Sequence, residues 1–173
     1  MAVSLYDLSI QSYLQTVGAV VGILEKGKAH CDAEGMDLDE IVQTRLFSDM
    51  LPFSFQLHSV AHHSLGAMQA IEAGEFFPPS NLAELDYGGF QDLMAKTHAE
   101  LEGYSREQVE ALEGRDVVFV ARDRKVPFTA EGFVLSFSLP NVHFHAATAY
   151  DILRMKGVPL GKRDFMGRMQ VKQ

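Results

Sequence analysis

The chain has 173 residues, enough for one well-buried core and too few for two. Hydrophobic residues make up 47% of it, which excludes a disordered chain, and no apolar run reaches the roughly 18 residues of a membrane span. The formal net charge is −8, divided as nine Lys/Arg against 21 Asp/Glu over residues 1–150 and six against two over 151–173, so the acidic body argues against a nucleic-acid partner. The basic tail either docks on that body or on a partner chain, or is simply solvated. One cysteine, Cys31, excludes an internal disulfide and a Cys-rich zinc site. The first residues have no basic run ahead of an apolar stretch, so they do not read as a signal peptide. A single cytoplasmic domain over residues 1–173 is expected.

Apolar residues at Ile10, Leu14, Val17, Val21 and Leu24 keep one stripe within about 80° on a helix. That helix is expected from near Ser4 to Ala33, with Gly35 as its stop. Asp37 and Glu40 form a capping-box pattern for a short helix through Thr44. Pro52 suits the first turn of a second long helix, which runs to Ala73 before Gly74. Its core face is Leu57, Val60, Ala61, Ser64, Met68 and Ile71. Phe76 to Ser80 reads as a connection. A third helix carries Phe90, Leu93, Thr97 and Leu101, with Gly88 and Gly89 weakening its start. Ser105 and Gln108 cap a short helix ending near Gly114. Asp116 to Thr129 is rich in β-formers around a turn at Arg122-Asp123-Arg124, which predicts a small hairpin with Pro127 on an edge. Thr129 then caps a last helix that Pro140 must kink or interrupt before it continues to Lys156. The resulting fold class is all-α: four long helices in a bundle, with short extra helices and a β-hairpin before the last long helix.

Five of the seven histidines fall in two groups, His58/His62/His63 and His143/His145. On the last helix, Val142, Ala149, Ile152 and Leu153 lie within about 80° of His145, so His145 points into the apolar face. His143 lies about 160° away and faces solvent or an interface. An inward histidine is either a core residue satisfied by one hydrogen bond or part of a site. His58 and His62 stand four residues apart, a spacing at which two neutral imidazoles hold a transition metal if another helix adds a ligand. No Glu stands between them in the metalloprotease position, so that chemistry is not supported. His63 lies about 100° around from His62 among Ser59, Gly66 and Ala70, a small-residue stripe that lets another helix come close. At most one of His62 and His63 is expected to reach His145. Cys31 falls on the inner stripe of the first helix and reads as an inert buried thiol. No nucleophile elbow, phosphate loop or Glu-x-x-His di-iron motif occurs.

The segment LPNVHFHAATAYDILRMKGVPLGKRDFMG, from Leu139 to Gly167, resembles that of a domain-of-unknown-function family in the DinB/YfiT-like superfamily. The amino-terminal stretch SLYDLSIQSYLQTVGAVVGILEKG and the stretch from Asp49 to Gln56 are similar to that family as well. The resemblance implies a DinB-like four-helix bundle and a homodimer. The better-known superfamily members transfer thiols or act on small thiol adducts, an activity that the shared fold alone does not carry over to this chain. In their metal sites a histidine of the second helix joins two at His-x-x-x-His on the last. Here Ala149 or Asn141 stands where the partner of His145 would be.

Two functions therefore compete. In one, the domain is metal-free and either binds a small molecule or acts through a dimer interface, with His145, Gln56, His63 and Tyr150 lining a polar pocket. In the other, zinc or nickel held by His145 with His58 and His62 activates water or a thiol. The missing half of the last-helix pair favours the first.

Overall fold

The computed structural model describes residues 3–172. It is mostly helical, with one small three-stranded sheet. A short first turn, α1 (Leu5–Leu8), is closed by a capping box in which Ser4 Oγ accepts from the Asp7 amide and Asp7 accepts from the Ser4 amide. The long helix α2 spans Ile10–Glu34 and stops at Gly35, whose φ of +66° is the left-handed conformation glycine adopts without strain. The expected single helix from Ser4 is thus broken at Ser9. The buried Ser9 hydroxyl donates to the Leu5 carbonyl at 2.6 Å and competes with the backbone ladder there.

The short α3 (Leu38–Gln43) starts at Asp37, which accepts from the Asp39 amide at 2.9 Å. The expected box with Glu40 does not form, because the Glu40 carboxylate reaches Lys156 instead, at 2.7 Å. The second long helix, α4 (Phe53–Ala73), begins after Pro52 and ends at Gly74, φ +85°. The third, α5 (Tyr87–Glu102), tolerates two glycines in its first turn because Asp86 caps it, accepting from the Gly89 amide at 2.7 Å. A capping box of Ser105 and Gln108 opens α6 (Arg106–Glu110).

Three strands follow the order β1-β2-β3: β1 (Glu75–Phe76), β2 (Asp116–Ala121) and β3 (Arg124–Thr129). β2 and β3 pair antiparallel, with Pro127 opposite Val118 on the outer strand, where its missing N–H costs no ladder bond. β1 pairs parallel with β2, so Phe76, expected in a connection, lies in a strand. Two residues are too few for a periodic pattern, so only the tertiary pairing reveals that strand.

Thr129 caps α7 (Ala130–Phe133), which runs through a π-helical turn at residues 134–138 into α8 (Leu139–Met155). Pro140 does not interrupt this helix. It sits in the first turn of α8, and the wider turn just before it, closed by Leu139 N–H donating to Val134 O, takes up the irregularity. A last short helix, α9 (Lys162–Met166), lies in the stretch that the sequence marks only as a basic tail.

The four long helices pack in a closed circuit: α2 on α5 and α8, and α4 on α5 and α8, with the α4–α8 contact the most extensive. Their facing stripes and the aromatic side chains Tyr13, Phe53, Tyr87, Phe90 and Phe133 form one continuous buried core. The basic tail docks on the body. Lys26 pairs with Asp164 at 2.5 Å, Gln15 donates to the Met166 carbonyl at 2.8 Å, and Phe165 meets Tyr150 edge-on. No helix of the described residues is long and apolar enough to cross a membrane.

Candidate functional site

The α4–α8 contact is where the histidines meet. Gln56, Ser59 and His63 lie along one face of α4, three and four residues apart, and all three are buried. From α8, His145 is half-buried beside Val142, Ala146 and Ala149, which are fully buried. The rings of His63 and His145 lie 5.8 Å apart and nearly parallel, at 11°. His62 meets His63 edge-on at 5.3 Å, so three imidazoles stand in a row. Of His62 and His63, it is His63 that faces His145.

The row is walled by aromatic rings. Phe76 of β1 and Phe137 of the π-helical turn pack on His63 at 5.4 and 5.6 Å. Phe55 and Phe144 approach His145 edge-on at 5.9 and 5.2 Å. Behind His63, the Ser138 hydroxyl donates to the His63 carbonyl and accepts from Tyr13, tying the π-helical turn to α4 and α2. Wide turns of this kind recur at functional sites, where they re-aim the side chains that follow.

Burial governs the charge of these rings. Desolvation brings His63 down to about 3, helped by the neighbouring His62 and His145, and brings His145 down to about 4. His62 is lowered too, mainly by burial. At neutral pH the row is therefore uncharged and offers lone pairs and N–H groups in place of a cation. Among the described residues, two buried side-chain polar atoms have no hydrogen-bond partner, Ser59 Oγ and His63 Nδ1, and they sit one helical turn apart. No signal in the sequence singled out Ser59 beyond its place on the small-residue stripe. The phenylalanine walls come from β1 and the π-helical turn, two features that lack a period of their own.

The remaining candidates are placed elsewhere. His58 Nε2 bonds the Ala83 carbonyl at 2.9 Å and its ring meets Phe90, on the α5 side. His62 Nε2 bonds the Phe77 carbonyl at 2.9 Å. The two rings thus pin the connector between β1 and α5 across α4. Two surface clefts flank that connector, of about 480 Å³ beside His62 and about 430 Å³ beside His58, and Leu82 borders both. A larger cleft, about 540 Å³, lies between α2, α5 and the tail and includes none of these residues. Tyr150 packs on Phe165 and His143 is exposed, so neither lines the row.

The donor set does not fit a three-ligand metal centre as it stands. His58 and His62 each present Nε2 to a different backbone carbonyl, and His145 presents Nδ1 to Gln56 at 2.7 Å. Among the described residues no group of three or more His, Cys, Asp or Glu side chains is placed to hold an ion.

Comparison with known proteins agrees with this architecture. The crystal structure of a DinB family member from Shewanella denitrificans is similar over 98% of this chain and 95% of that one, with a TM-score of 0.83 and 24% identity. At that identity the likeness shows the fold. No curated protein matches the chain. Residues 5–166 match the model of a domain of unknown function, DUF1993, and with that span the chain belongs to the DUF1993 family.

Proposed function

We propose that the chain is a single DinB-like four-helix-bundle domain over residues 1–173, with the β2–β3 pair as a hairpin decoration, and that it binds a small molecule at the His63–His145 pair without a metal. The observation that carries this reading is the pair itself. Two uncharged imidazoles from different helices lie 5.8 Å apart inside an aromatic surround, and one buries a ring nitrogen with no partner. A fold that needed only packing there would be served as well by apolar side chains, because a buried polar atom without a partner costs about 1–3 kcal/mol. Gln56 completes the polar lining.

A metal-dependent enzyme built on His145 with His58 and His62 would require both α4 rings to leave their carbonyls and turn toward α8. Titration of untagged protein separates the two functions. In a panel of benzamide, phenol and benzoate followed by NMR, at least one member is expected to move the His63 and His145 ring signals, with the response lost in His145→Phe. Zinc or nickel chloride binding stoichiometrically at His58, His62 and His145 would favour the metal enzyme. A panel that moves neither ring would overturn the binding reading.

Assembly as a homodimer belongs to the same proposal. Phe144 and Met155, exposed and three turns apart on one face of α8, supply apolar area for it. Sedimentation velocity is expected to show a dimer, and a monomer across the accessible concentration range would remove this part.

A further inference from the structure

We propose that Gln56 holds His145 in the tautomer with its proton on Nδ1, so that Nε2 offers a free lone pair to an uncharged ligand that donates an O–H or N–H. This rests on the binding reading above and names the class of molecule bound. The argument begins at Leu51, whose backbone carbonyl can only accept. Gln56 Nε2 donates to it at 2.8 Å, which fixes the orientation of the amide and aims Oε1 at His145 Nδ1, 2.7 Å away. An amide oxygen also only accepts, so the short contact requires a proton on Nδ1. Flipping the amide would set its oxygen against the Leu51 carbonyl and lose that bond. Gln56 is 2% exposed, so little water is at hand to replace it.

A neutral imidazole carries one N–H, which leaves Nε2 of His145 as an acceptor. It has no hydrogen-bond partner among the described residues. His58 and His62 are the reverse case. Their Nε2 atoms face the carbonyls of Ala83 and Phe77, so their protons are on Nε2 and their lone pairs on Nδ1. Of these three rings, His145 alone has a free Nε2 lone pair. His63 differs again, with its Nδ1 buried and unpartnered.

The surroundings narrow the ligand. Phe55 and Phe144 stand edge-on to His145 at 5.9 and 5.2 Å, so a molecule bonded to His145 meets apolar ring surface beside it. A lone pair on an uncharged ring repels a carboxylate or phosphate oxygen, and the chain carries a net charge of −8. The fitting class is a small aromatic or cyclic molecule bearing a neutral hydroxyl or amide N–H. Gln56 acts as a positioning residue.

The test uses the full chain, ¹⁵N-labelled, with phenol as probe, anisole as the analogue that cannot donate, and benzoate as the anion. Long-range ¹H–¹⁵N spectra are expected to show His145 protonated at Nδ1 in the wild type. That tautomer should persist in Gln56→Glu, which still accepts, and give way to a mixture in Gln56→Leu. Phenol should move the His145 Nε2 signal and anisole should not. Gln56→Leu should bind phenol about fivefold more weakly, the scale of one modest hydrogen bond. A proton on Nε2 in the wild type overturns the tautomer assignment. The expected tautomer with benzoate or anisole bound in place of phenol overturns the ligand class and leaves binding at the pair intact. The expected tautomer with no probe bound overturns both the class and the binding reading.

Discussion

Ser59 and His63 stand one turn apart on α4, and each buries a side-chain polar atom without a partner. Replacing such a group by an apolar one of similar shape removes a desolvation cost without breaking a bond. Ser59→Ala is therefore expected to leave the fold as stable as before or to stabilise it by up to about 1 kcal/mol, as read by urea unfolding. His63 gives a prediction in pH. Its folded value lies near 3 against 6.5 for the free side chain, and His145 lies near 4. In the unfolded chain both rings take up a proton as the pH drops below about 6.5, while in the folded chain they stay neutral. Stability is then at its full level above about pH 6.5 and declines from there, the His145 part ending near pH 4 and the His63 part near pH 3. His63→Phe should flatten part of that decline, and an unchanged slope would contradict the burial of His63. The carboxylates held low by ion pairs, Asp7 by Arg106 and Asp164 by Lys26, add their own loss only at lower pH.

Helices in this protein are set close by specific small residues. Gly27 of α2 lies against the hydroxyl of Tyr87, which donates to the Leu24 carbonyl at 2.9 Å, and a Cβ on Gly27 would overlap that hydroxyl and crowd Leu153. Gly27→Ala is expected to cost about 2 kcal/mol by overpacking. Tyr87→Phe should cost about 1 kcal/mol on its own through the lost bond. The double variant should be less destabilised than the sum of the two, because the overlapping atom is gone. An additive pair would mean that α2 and α5 are not this close. Periodicity announced the long helices, whose apolar positions repeat over many turns. It missed β1 and the π-helical turn because neither repeats. At Pro140 the local signal predicts a kink or interruption for the same reason: its N–H is missing in any sequence, but whether the helix stops or widens depends on what packs against the turn before it.

At the scale of the whole molecule, the tail closes the structure over α2. It is fastened by the Gln15 bond to Met166, the Phe165–Tyr150 contact and the Lys26–Asp164 pair. The ion pair is exposed and contributes little, so the ring contact and backbone docking carry most of the stabilisation. Deleting residues 162–173 is expected to lower the melting temperature by about 5–10 °C, the effect of roughly 2–3 kcal/mol in a chain of this size. It should also open the Tyr150 ring to quenchers in fluorescence. The family resemblance read from Leu139 to Gly167 holds across nearly the entire chain, and the crystal structure from Shewanella denitrificans shares the fold at 24% identity.

By itself the sequence determined the helical class, the stops of the first two long helices at Gly35 and Gly74, the family, and the inward setting of His145. Each of these follows from local periodicity, from caps and glycine stops, or from a motif contiguous in the chain. Tertiary structure alone decided which histidines meet. His58, His62 and His63 share one short stretch of α4, yet two of them turn to the carbonyls of a connector whose path no local pattern specifies. Only His63 reaches α8. A helical wheel gives the direction of a side chain, and the partner waiting there is set by long-range packing between segments some eighty residues apart.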